Sequence, residues 1–207
     1  MSVPQQVLIA EDDELLAQFI ALQLIECGHL PLIVGDGEEA VTAALSYRYD
    51  MVLLDWQMPK LNGLAAATLL RQLGYNKPLV LMSADVVDTP VVDFCLQKPL
   101  HMSELIACLG GDPIVPFNFI VAPELQQQFK SALADIEQAL RHAADTQDEL
   151  TIRRLIHQLK GSAESFGAGA IAEAADQLQR CWQHKPLQTE QLTDLMQLLA
   201  KEQNHVA

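Results

Sequence analysis

Short apolar runs of four or five residues alternate with segments of helical periodicity through the first half of this chain. The runs are VLIA (7–10), LPLIV (30–34), MVLL (51–54), LVLM (79–82) and DFCLQ (93–97). Between them, apolar residues recur at helical spacing, as in the segment from Glu14 to Cys27, which Gly28 then ends. Strands that are apolar along their length and separated by helices are typical of a parallel sheet covered on both faces. We therefore predict an α/β domain with a doubly wound, five-stranded parallel sheet.

The alternation fails at one place, between the fourth and fifth apolar runs. Only residues 84–92 separate these runs, and Pro90 is one of them. A parallel crossover usually needs a dozen or more residues, most of them helical. We expect a loop or a single turn there, so that the fourth helix of the domain is shortened or missing.

The second half of the chain shows no strand pattern. Helical patterns cover about 123–144, 147–166, 169–183 and 189–203. Four helices joined by short loops predict an all-α second domain, an antiparallel four-helix bundle.

The segment GGDPIVPFNFIVAP (110–123) separates the two patterns and contains two internal prolines. Glycine, proline and a change of pattern are typical of a domain boundary. We place the first domain at 1–110, a linker at 111–122 and the second domain at 123–207.

The charge and the apolar pattern exclude several functions. The formal net charge is −14, and nonspecific nucleic-acid binding depends on Lys and Arg that neutralise phosphates. We therefore expect no nucleic-acid partner, although a basic protein partner is compatible with this charge. No apolar run approaches the about 20 residues that span a bilayer, and the first residues, MSVPQQ, are not a signal peptide. We expect a cytoplasmic chain without direct membrane insertion.

Polar residues follow four of the predicted strands. Glu11 and Asp12 follow the first, Asp55 closes the third, Ser83 ends the fourth and Lys98 follows the fifth. Because the carboxyl ends of parallel strands meet at one edge of the sheet, these side chains are predicted to share a pocket. Three carboxylates repel one another unless a cation relieves them, and oxygen ligands favour Mg²⁺. A carboxylate can also attack phosphorus, helped by a lysine and a hydroxyl.

The first 110 or so residues resemble a response-regulator receiver domain. The matching motifs are AEDD (10–13), LLDWQMPKLNG (53–63), LMSA (81–84) and QKP (97–99). The resemblance implies a flavodoxin-like fold, with Asp55 as phosphoacceptor and Glu11 and Asp12 as the acid pair that holds Mg²⁺.

The same resemblance gives further roles to residues around Asp55. It implies that the backbone carbonyl of Gln57 helps to bind Mg²⁺, that Ser83 is the switch hydroxyl and that Lys98, before a cis Pro99, contacts the phosphoryl group. Asp13 is expected to be a surface or capping residue.

Two departures from the receiver pattern concern the surface through which such domains commonly dimerise and signal. The connection between Ser83 and Lys98 is about seven residues shorter than the family's, and Cys95 stands where an aromatic residue is frequent. Output through that surface is therefore in doubt, whereas the phosphoryl chemistry is not.

The segment HQLKGSAESFG (157–167) carries a histidine on a predicted helix. At 100° per residue, six apolar residues form one buried stripe: Ile152, Leu155, Ile156, Leu159, Ala163 and Phe166. His157 falls on the opposite side and is predicted to face solvent, with Gly161 beside it and Lys160 flanking it. An exposed imidazole nitrogen can attack a phosphoryl group. The absence of a side chain at Gly161 would let a partner approach, and Lys160 could balance the charge of phosphohistidine.

The segment HQLKGSAESFGA, within a four-helix pattern over about 122–203, resembles the histidine-containing phosphotransfer (HPt) family. The matching positions are His157, Leu159, Lys160, Gly161, Ala163 and Gly167. The resemblance implies that His157 is a phosphoacceptor and that this domain has no metal of its own.

Together the two resemblances predict two consecutive stations of a phosphorelay, as in the C-terminal part of hybrid sensor histidine kinases. An upstream sensor kinase would donate to Asp55, and the phosphoryl group would pass via His157 to or from another receiver. We find no ATP-binding kinase motif, so the chain is interpreted as a phosphotransfer module and its status as an enzyme stays open.

Two alternatives stay open at this point. The chain could be a binding scaffold that does not transfer phosphate, although every expected site residue is present. It could also be a phosphohydrolase of the haloacid-dehalogenase type, which would place a second acid two residues after its nucleophile, where Gln57 stands here.

Overall fold

The computed structural model of the chain describes residues 3–84, 87–110, 123–182 and 189–203. The chain divides into two compact units, Met1–Ile120 and Val121–Ala207. The predicted linker at 111–122 lies outside the described residues, so the predicted boundaries of the two domains stay predictions.

The first unit is built on a five-stranded sheet in which every neighbouring pair of strands is parallel. The strands are β1 (Gln6–Ala10), β2 (Leu30–Val34), β3 (Met51–Asp55), β4 (Leu79–Ser83) and β5 (Phe94–Gln97). Their spatial order is β2-β1-β3-β4-β5, which is the flavodoxin-like order. The predicted fold class of this domain is therefore confirmed.

The three central strands carry the core of the sheet. All residues of β3 and β4 are buried, as are four of the five in β1. The edge strand β2 leaves Leu30, Leu32 and Ile33 exposed, and β5 leaves Phe94 exposed. The expectation that both faces are covered thus holds for the centre of the sheet and not for its edges.

Helices connect the strands and begin at capping residues. They are α1 (Glu14–Glu26), α2 (Gly37–Ser46), α3 (Gly63–Gln72) and, after β5, α4 (Met102–Cys108). Asp13, Asp36 and Asn62 precede the first three, and each side chain accepts a hydrogen bond from a backbone N–H of the first turn. This satisfies donors that have no partner inside the helix.

The described residues between β4 and β5, 84 and 87–93, form turns and no helix. The expectation of a loop or a single turn is therefore confirmed for those residues. Val87, Val91 and Val92 pack into or against the hydrophobic core of this unit.

Arg71 of α3 joins this short connection to the loop between α3 and β4. Its guanidinium donates to the carbonyl oxygens of Val91 at 3.2 Å, Tyr75 at 2.8 Å and Lys77 at 2.9 Å. It also pairs with Asp93 at 2.5 Å, and Asp93 accepts the N–H of Leu79 at 2.7 Å. The planar fork of an arginine suits such a set of acceptors.

The second unit is helical throughout its described residues. Its helices are α5 (Pro123–Asp145), α6 (Glu149–Ser162), α7 (Gly169–Trp182) and α8 (Thr189–Gln203), with a 3-10 helix at Ala163–Phe166. Each of the four α-helices packs against two others, in the cyclic order α5, α6, α7, α8. This agrees with the predicted four-helix bundle.

The apolar stripe predicted for the histidine segment is buried in full. Phe166 stacks on Phe129 of α5, with ring centroids 4.4 Å apart. The single predicted helix 147–166 is instead two pieces, because α6 ends at Ser162 and the 3-10 turn follows. Gly167 then adopts a φ of 83°, a conformation that glycine reaches without strain.

Within the described parts of the chain, none of the helices combines the length and the apolar character needed to cross a membrane.

Gly63, the first residue of α3, provides a test of the fold. A Cβ at this position would lie 2.1 Å from the carbonyl oxygen of Asp55, and a backbone atom cannot move away cheaply. We expect Gly63→Ala to lower the free energy of unfolding by about 1–3 kcal/mol. Urea unfolding followed by Trp56 fluorescence, in a Trp182→Phe background, measures the change in the first unit.

Gly35→Ala is the matched control, because a Cβ there meets nothing within 4 Å. It should change the same free energy by no more than about 0.5 kcal/mol. Equal stability of the two variants would contradict the close approach of α3 to β3.

Candidate functional site

The carboxyl ends of the strands bring the predicted site residues of the first unit together. Asp55 is the last residue of β3 and pairs in register with Met82 of β4, next to Ser83. Ser83 in turn pairs with Gln97 of β5, directly before Lys98. The apolar runs determine this placement, because each polar residue follows or ends an apolar strand at the edge of the core.

Lys98 lies at the centre of the site. Its Nζ is 2.7 Å from Oε2 of Glu11 and 2.6 Å from Oδ1 of Asp55. All three side chains are almost completely buried, with exposures of 4% for Lys98 and 2% for each acid. One ammonium therefore joins the ends of β1, β3 and β5 in a setting where water screens little.

Asp12 completes a group of three carboxylates. One ligand oxygen from each of Glu11, Asp12 and Asp55 lies within 4.8 Å of the others, and Asp12 is exposed while the other two are buried. The predicted convergence of these acids is thus observed.

The single positive charge of Lys98 does not balance the three acids around it. Burial raises the pKa of Glu11 to about 8; Lys98 opposes this shift and Asp55 adds to it. Burial and the charge of Asp55 raise the pKa of Asp12 as well. Burial alone would lower the pKa of Lys98, but Glu11 and Asp55 raise it on balance, so the lysine stays charged.

These residues fit a divalent cation. Three carboxylates converge on one point, one of them open to solvent, and the single lysine leaves them an excess of negative charge. Oxygen donors with access to water are the set that Mg²⁺ prefers. Glu11, Asp12 and Asp55 are therefore the residues of this unit that could hold a metal.

Backbone groups fix the orientation of the acids. The N–H of Gln57 donates to Oδ2 of Asp55 at 3.1 Å, so both carboxylate oxygens of Asp55 have a positive neighbour. The N–H of Asp13 donates to Oε1 of Glu11 at 3.3 Å. The Asp13 side chain caps α1, which confirms its expected capping role, although it is buried and not a surface residue.

Ser83 and Lys98 are linked through the backbone. Ser83 is buried at the end of β4, and its carbonyl accepts the N–H of Lys98 at 2.7 Å. The peptide bond between Lys98 and Pro99 is cis, as the family resemblance implies.

Sequence reasoning missed an ion pair that fastens the loop after Asp55. Lys60 has a φ of 62° and its Nζ lies 2.5 Å from Oδ2 of Asp36, which also caps α2. A Cβ on Gly37 would lie 2.0 Å from the carbonyl of Leu61, so the loop and the start of α2 are in direct contact. The pair joins residues 24 positions apart, and only the capping role of Asp36 leaves a local sequence signal.

The histidine of the second unit lies on α6 and is half-buried. The predicted exposure of His157 thus holds only in part, because its Nδ1 has almost no solvent-accessible surface. The reason is that α7 packs beside it. The guanidinium carbon of Arg153, one turn before His157, lies 4.3 Å from the ring centroid of Trp182 on α7. A helical wheel describes one helix by itself, so it does not show which side chains a neighbouring helix covers.

Gly161 and Lys160 also differ from their expected settings. Gly161 is buried, not on an open face. Lys160 is 11% exposed, and its Nζ is 3.0 Å from Oδ1 of Asp176 on α7. No local sequence pattern indicates the ion pair of Asp176 with Lys160, because it forms only when α7 packs against α6.

Two families match the chain, one over each unit. Residues 7–109 match the response regulator receiver domain, and residues 124–205 match the Hpt domain.

Curated proteins match about half of the chain. It is 34% identical over 110 residues to the DNA-binding response regulator MtrA of Mycobacterium tuberculosis, covering 50% of this chain and 48% of that protein. It is 35% identical over 109 residues to the cell cycle transcriptional regulator CtrA of Caulobacter vibrioides, covering 49% and 47%. The chain thus spans about half the length of the curated relatives it matches.

Solved structures are similar over a comparable share. The receiver domain of the Francisella response regulator 1452 is 32% identical with a TM-score of 0.48, covering 51% of this chain and 93% of that one. Full-length ShkA in complex with AMPPNP is 34% identical with a TM-score of 0.48, covering 52% and 24%.

Replacing Lys98 should destabilise the first unit, because the buried acids beside it lose their positive neighbour. We expect Lys98→Met to lower the free energy of unfolding by about 3–5 kcal/mol in metal-free buffer, because Glu11 and Asp55 lose their counter-charge. The double variant Asp55→Asn/Lys98→Met should recover part of this loss, since it removes the other buried carboxylate that Lys98 contacts. Urea unfolding with the Trp56 probe measures both.

Lys77→Met, at an exposed position, is the control and should leave stability nearly unchanged. If the double variant is no more stable than Lys98→Met, the proposed balance of charges around Lys98 is wrong.

Proposed function

We propose that this chain, which joins a response regulator receiver domain to an Hpt domain, carries two consecutive stations of a phosphorelay. A role in phosphorelay signalling follows from the two families. The proposal adds the chemistry: Asp55 accepts a phosphoryl group, and His157 exchanges it with Asp55 and with another receiver.

The observation that carries the proposal is the setting of Asp55. Its carboxylate lies at the mouth of the sheet, between Lys98 at 2.6 Å and the N–H of Gln57 at 3.1 Å. A carboxylate in such a place can act as a nucleophile. The same two positive groups can stabilise the charge that develops on transferring phosphoryl oxygens.

We propose Glu11, Asp12 and Asp55, with the backbone carbonyl of Gln57, as ligands of Mg²⁺. When bound, the ion would neutralise the negative charge that a phosphoryl group adds to this acidic site. Glu11 is buried and its Oε1 accepts the N–H of Asp13, so its position is fixed before any ligand arrives. Ser83 is proposed to contact a phosphoryl oxygen through its hydroxyl.

The first step is attack of an Asp55 oxygen on the phosphorus of a kinase phosphohistidine. A P–O bond forms to Asp55 and the P–N bond breaks, and its electron pair returns to the donor imidazole. Lys98 keeps its proton and stabilises the charge on the phosphoryl oxygens.

The second step passes the group to His157. Nδ1 has almost no solvent-accessible surface, so Nε2 is the nitrogen proposed to attack. In the tautomer with a proton on Nδ1, the Nε2 lone pair forms the P–N bond, and the P–O bond to Asp55 breaks with its electron pair on the carboxylate. The imidazole ring takes up the positive charge, and the total charge is conserved. The exchange is reversible in principle, and the net direction depends on the partners.

The partners follow from the two families in general terms. Receiver and Hpt domains imply histidine kinases and other receivers as partners. We propose an upstream sensor histidine kinase as donor and a separate receiver as recipient, an arrangement that resembles the C-terminal part of hybrid sensor histidine kinases. A cytoplasmic location and the absence of a nucleic-acid partner stay predictions.

The two alternatives are not favoured. Gln57, an exposed amide, stands where a haloacid-dehalogenase phosphohydrolase would have its second acid. A scaffold without transfer would not need three carboxylates and a buried lysine, an arrangement that costs desolvation.

Mg²⁺ should bind at the carboxylate group. We expect a titration of Trp56 fluorescence with MgCl₂, in the Trp182→Phe background, to report binding, because Trp56 directly follows Asp55. Glu11→Gln and Asp12→Asn should each weaken the apparent affinity about tenfold or more, since each removes one charged ligand.

Glu14→Gln is the control for this titration, because it removes an exposed acid from the same run without touching the group. It should leave the affinity within about twofold. Equal affinities of Asp12→Asn and the unchanged chain would contradict the proposed ligand set.

Phosphoryl transfer should require both sites in a fixed order. With [³²P]acetyl phosphate and Mg²⁺, we expect an alkali-labile label on Asp55 and an acid-labile, alkali-stable label on His157. Asp55→Asn should abolish both labels, because His157 receives its group from Asp55. His157→Gln should retain only the alkali-labile label.

Asp88→Asn and His142→Gln alter exposed residues of the same types and should leave both labels unchanged. Normal labelling of His157 in the Asp55→Asn variant would show that the proposed order is wrong. Acetyl phosphate can be replaced by a purified, autophosphorylated histidine kinase, which tests the proposed donor class.

A further inference from the structure

Lys160 is close enough in sequence to His157 to contact a phosphoryl group on that histidine. In the structure, its ammonium is paired with the carboxylate of Asp176. The lysine follows His157 by three residues on α6, so the two side chains are neighbours on one face. Its Nζ is 3.0 Å from Oδ1 of Asp176 on α7, and only 11% of the side chain is exposed. The ammonium therefore has Asp176 as an ion-pair partner in the unphosphorylated structure.

The packing of α6 on α7 holds this arrangement on both sides of His157. One turn before the histidine, Arg153 contacts the ring of Trp182 at 4.3 Å. One turn after it, Lys160 contacts Asp176. His157 thus lies between two contacts with the same neighbouring helix, and Asp176 is part of its surroundings.

Asp176 is shared between two cations of different exposure. Its Oδ2 lies 2.5 Å from Nη2 of Arg180, whose side chain is 76% exposed. Each oxygen of the Asp176 carboxylate therefore faces a cation, Oδ1 the ammonium of Lys160 and Oδ2 the guanidinium of Arg180. Solvent screens the exposed arginine more strongly than the half-buried lysine.

A phosphoryl group changes this balance. It adds close to two negative charges beside Lys160. Asp176 then acts against it twice, by repelling the phosphoryl oxygens and by competing with them for the ammonium. Both effects make phosphohistidine less stable than Lys160 alone would.

We propose that Asp176 is a positioning residue that holds Lys160 and lowers the stability of the phosphoryl group on His157, so that transfer to an acceptor carboxylate stays favourable. The inference rests on the proposed function, because it assumes that His157 is phosphorylated.

The step that Asp176 promotes is release of the phosphoryl group from His157. The P–N bond breaks and its electron pair stays on Nε2, while a carboxylate oxygen of the acceptor forms the new P–O bond. Lys160 and Asp176 exchange no proton and form no covalent bond. They change only the free energy of the phosphorylated state.

The test measures the equilibrium ratio of label on His157 to label on Asp55 in the full chain, after reaction with [³²P]acetyl phosphate and Mg²⁺. Asp176→Asn keeps the shape and removes the charge, and the ratio should rise about tenfold. Asp176→Glu restores the charge and should return the ratio to within about twofold of the unchanged chain. Glu173→Gln, an exposed acid on the same helix, should leave it unchanged.

Two further variants separate this role from a structural one. In a Lys160→Gln background, Asp176→Asn should change the ratio clearly less, because the part that acts through Lys160 is gone. Arg180→Gln alters a largely exposed side chain and leaves Asp176 less neutralised, so the ratio should fall. A residue that only joins α6 to α7 would lower the melting temperature without raising the ratio.

The outcomes are distinguishable. An unchanged or lower ratio in Asp176→Asn, with His157 labelled in the unchanged chain, overturns this inference and leaves the proposed function standing. A rise in the ratio with Arg180→Gln also overturns it. Absence of label on His157 in the unchanged chain overturns the proposed function, and this inference with it.

Discussion

The buried contact of Lys98 with Glu11 and Asp55 is the interaction on which the first unit depends. It joins the ends of three strands through one ammonium, with distances of 2.6 and 2.7 Å. Burying charges is costly unless they are paired, so the pocket is stable only while all three groups keep this geometry. The parallel sheet supplies that geometry, because its register places each of these residues at the same edge. The site is thus a consequence of the topology, and the packing of the central strands maintains it.

Much of this arrangement can be predicted from the sequence, for a physical reason. Strand ends are local features, and parallel topology makes them converge, so Glu11, Asp12, Asp55, Ser83 and Lys98 follow from the pattern of apolar runs. The lack of a helix among the described residues between β4 and β5, 84 and 87–93, follows from the short length of that connection. The apolar stripe of α6 follows from its periodicity, since every member of that stripe is buried.

What could not be predicted depends on contacts between distant segments. The half-burial of His157 arises from the approach of α7, which a single helix does not reveal. The same is true of the pairing of Lys160 with Asp176 and of Lys60 with Asp36. A sequence shows which charges exist, but ion pairs form between side chains that tertiary packing brings together.

The short connection between β4 and β5 has a mechanical consequence. It runs from Ser83 to Lys98, and Arg71 of α3 holds it at the carbonyl oxygen of Val91 and at the carboxylate of Asp93. A flexible segment of greater length could absorb a displacement at one end, but a short and fastened one has little slack. Arg71 also donates hydrogen bonds to the carbonyl oxygens of Tyr75 and Lys77, so a displacement of the segment at Val91 would have to move the loop between α3 and β4 with it.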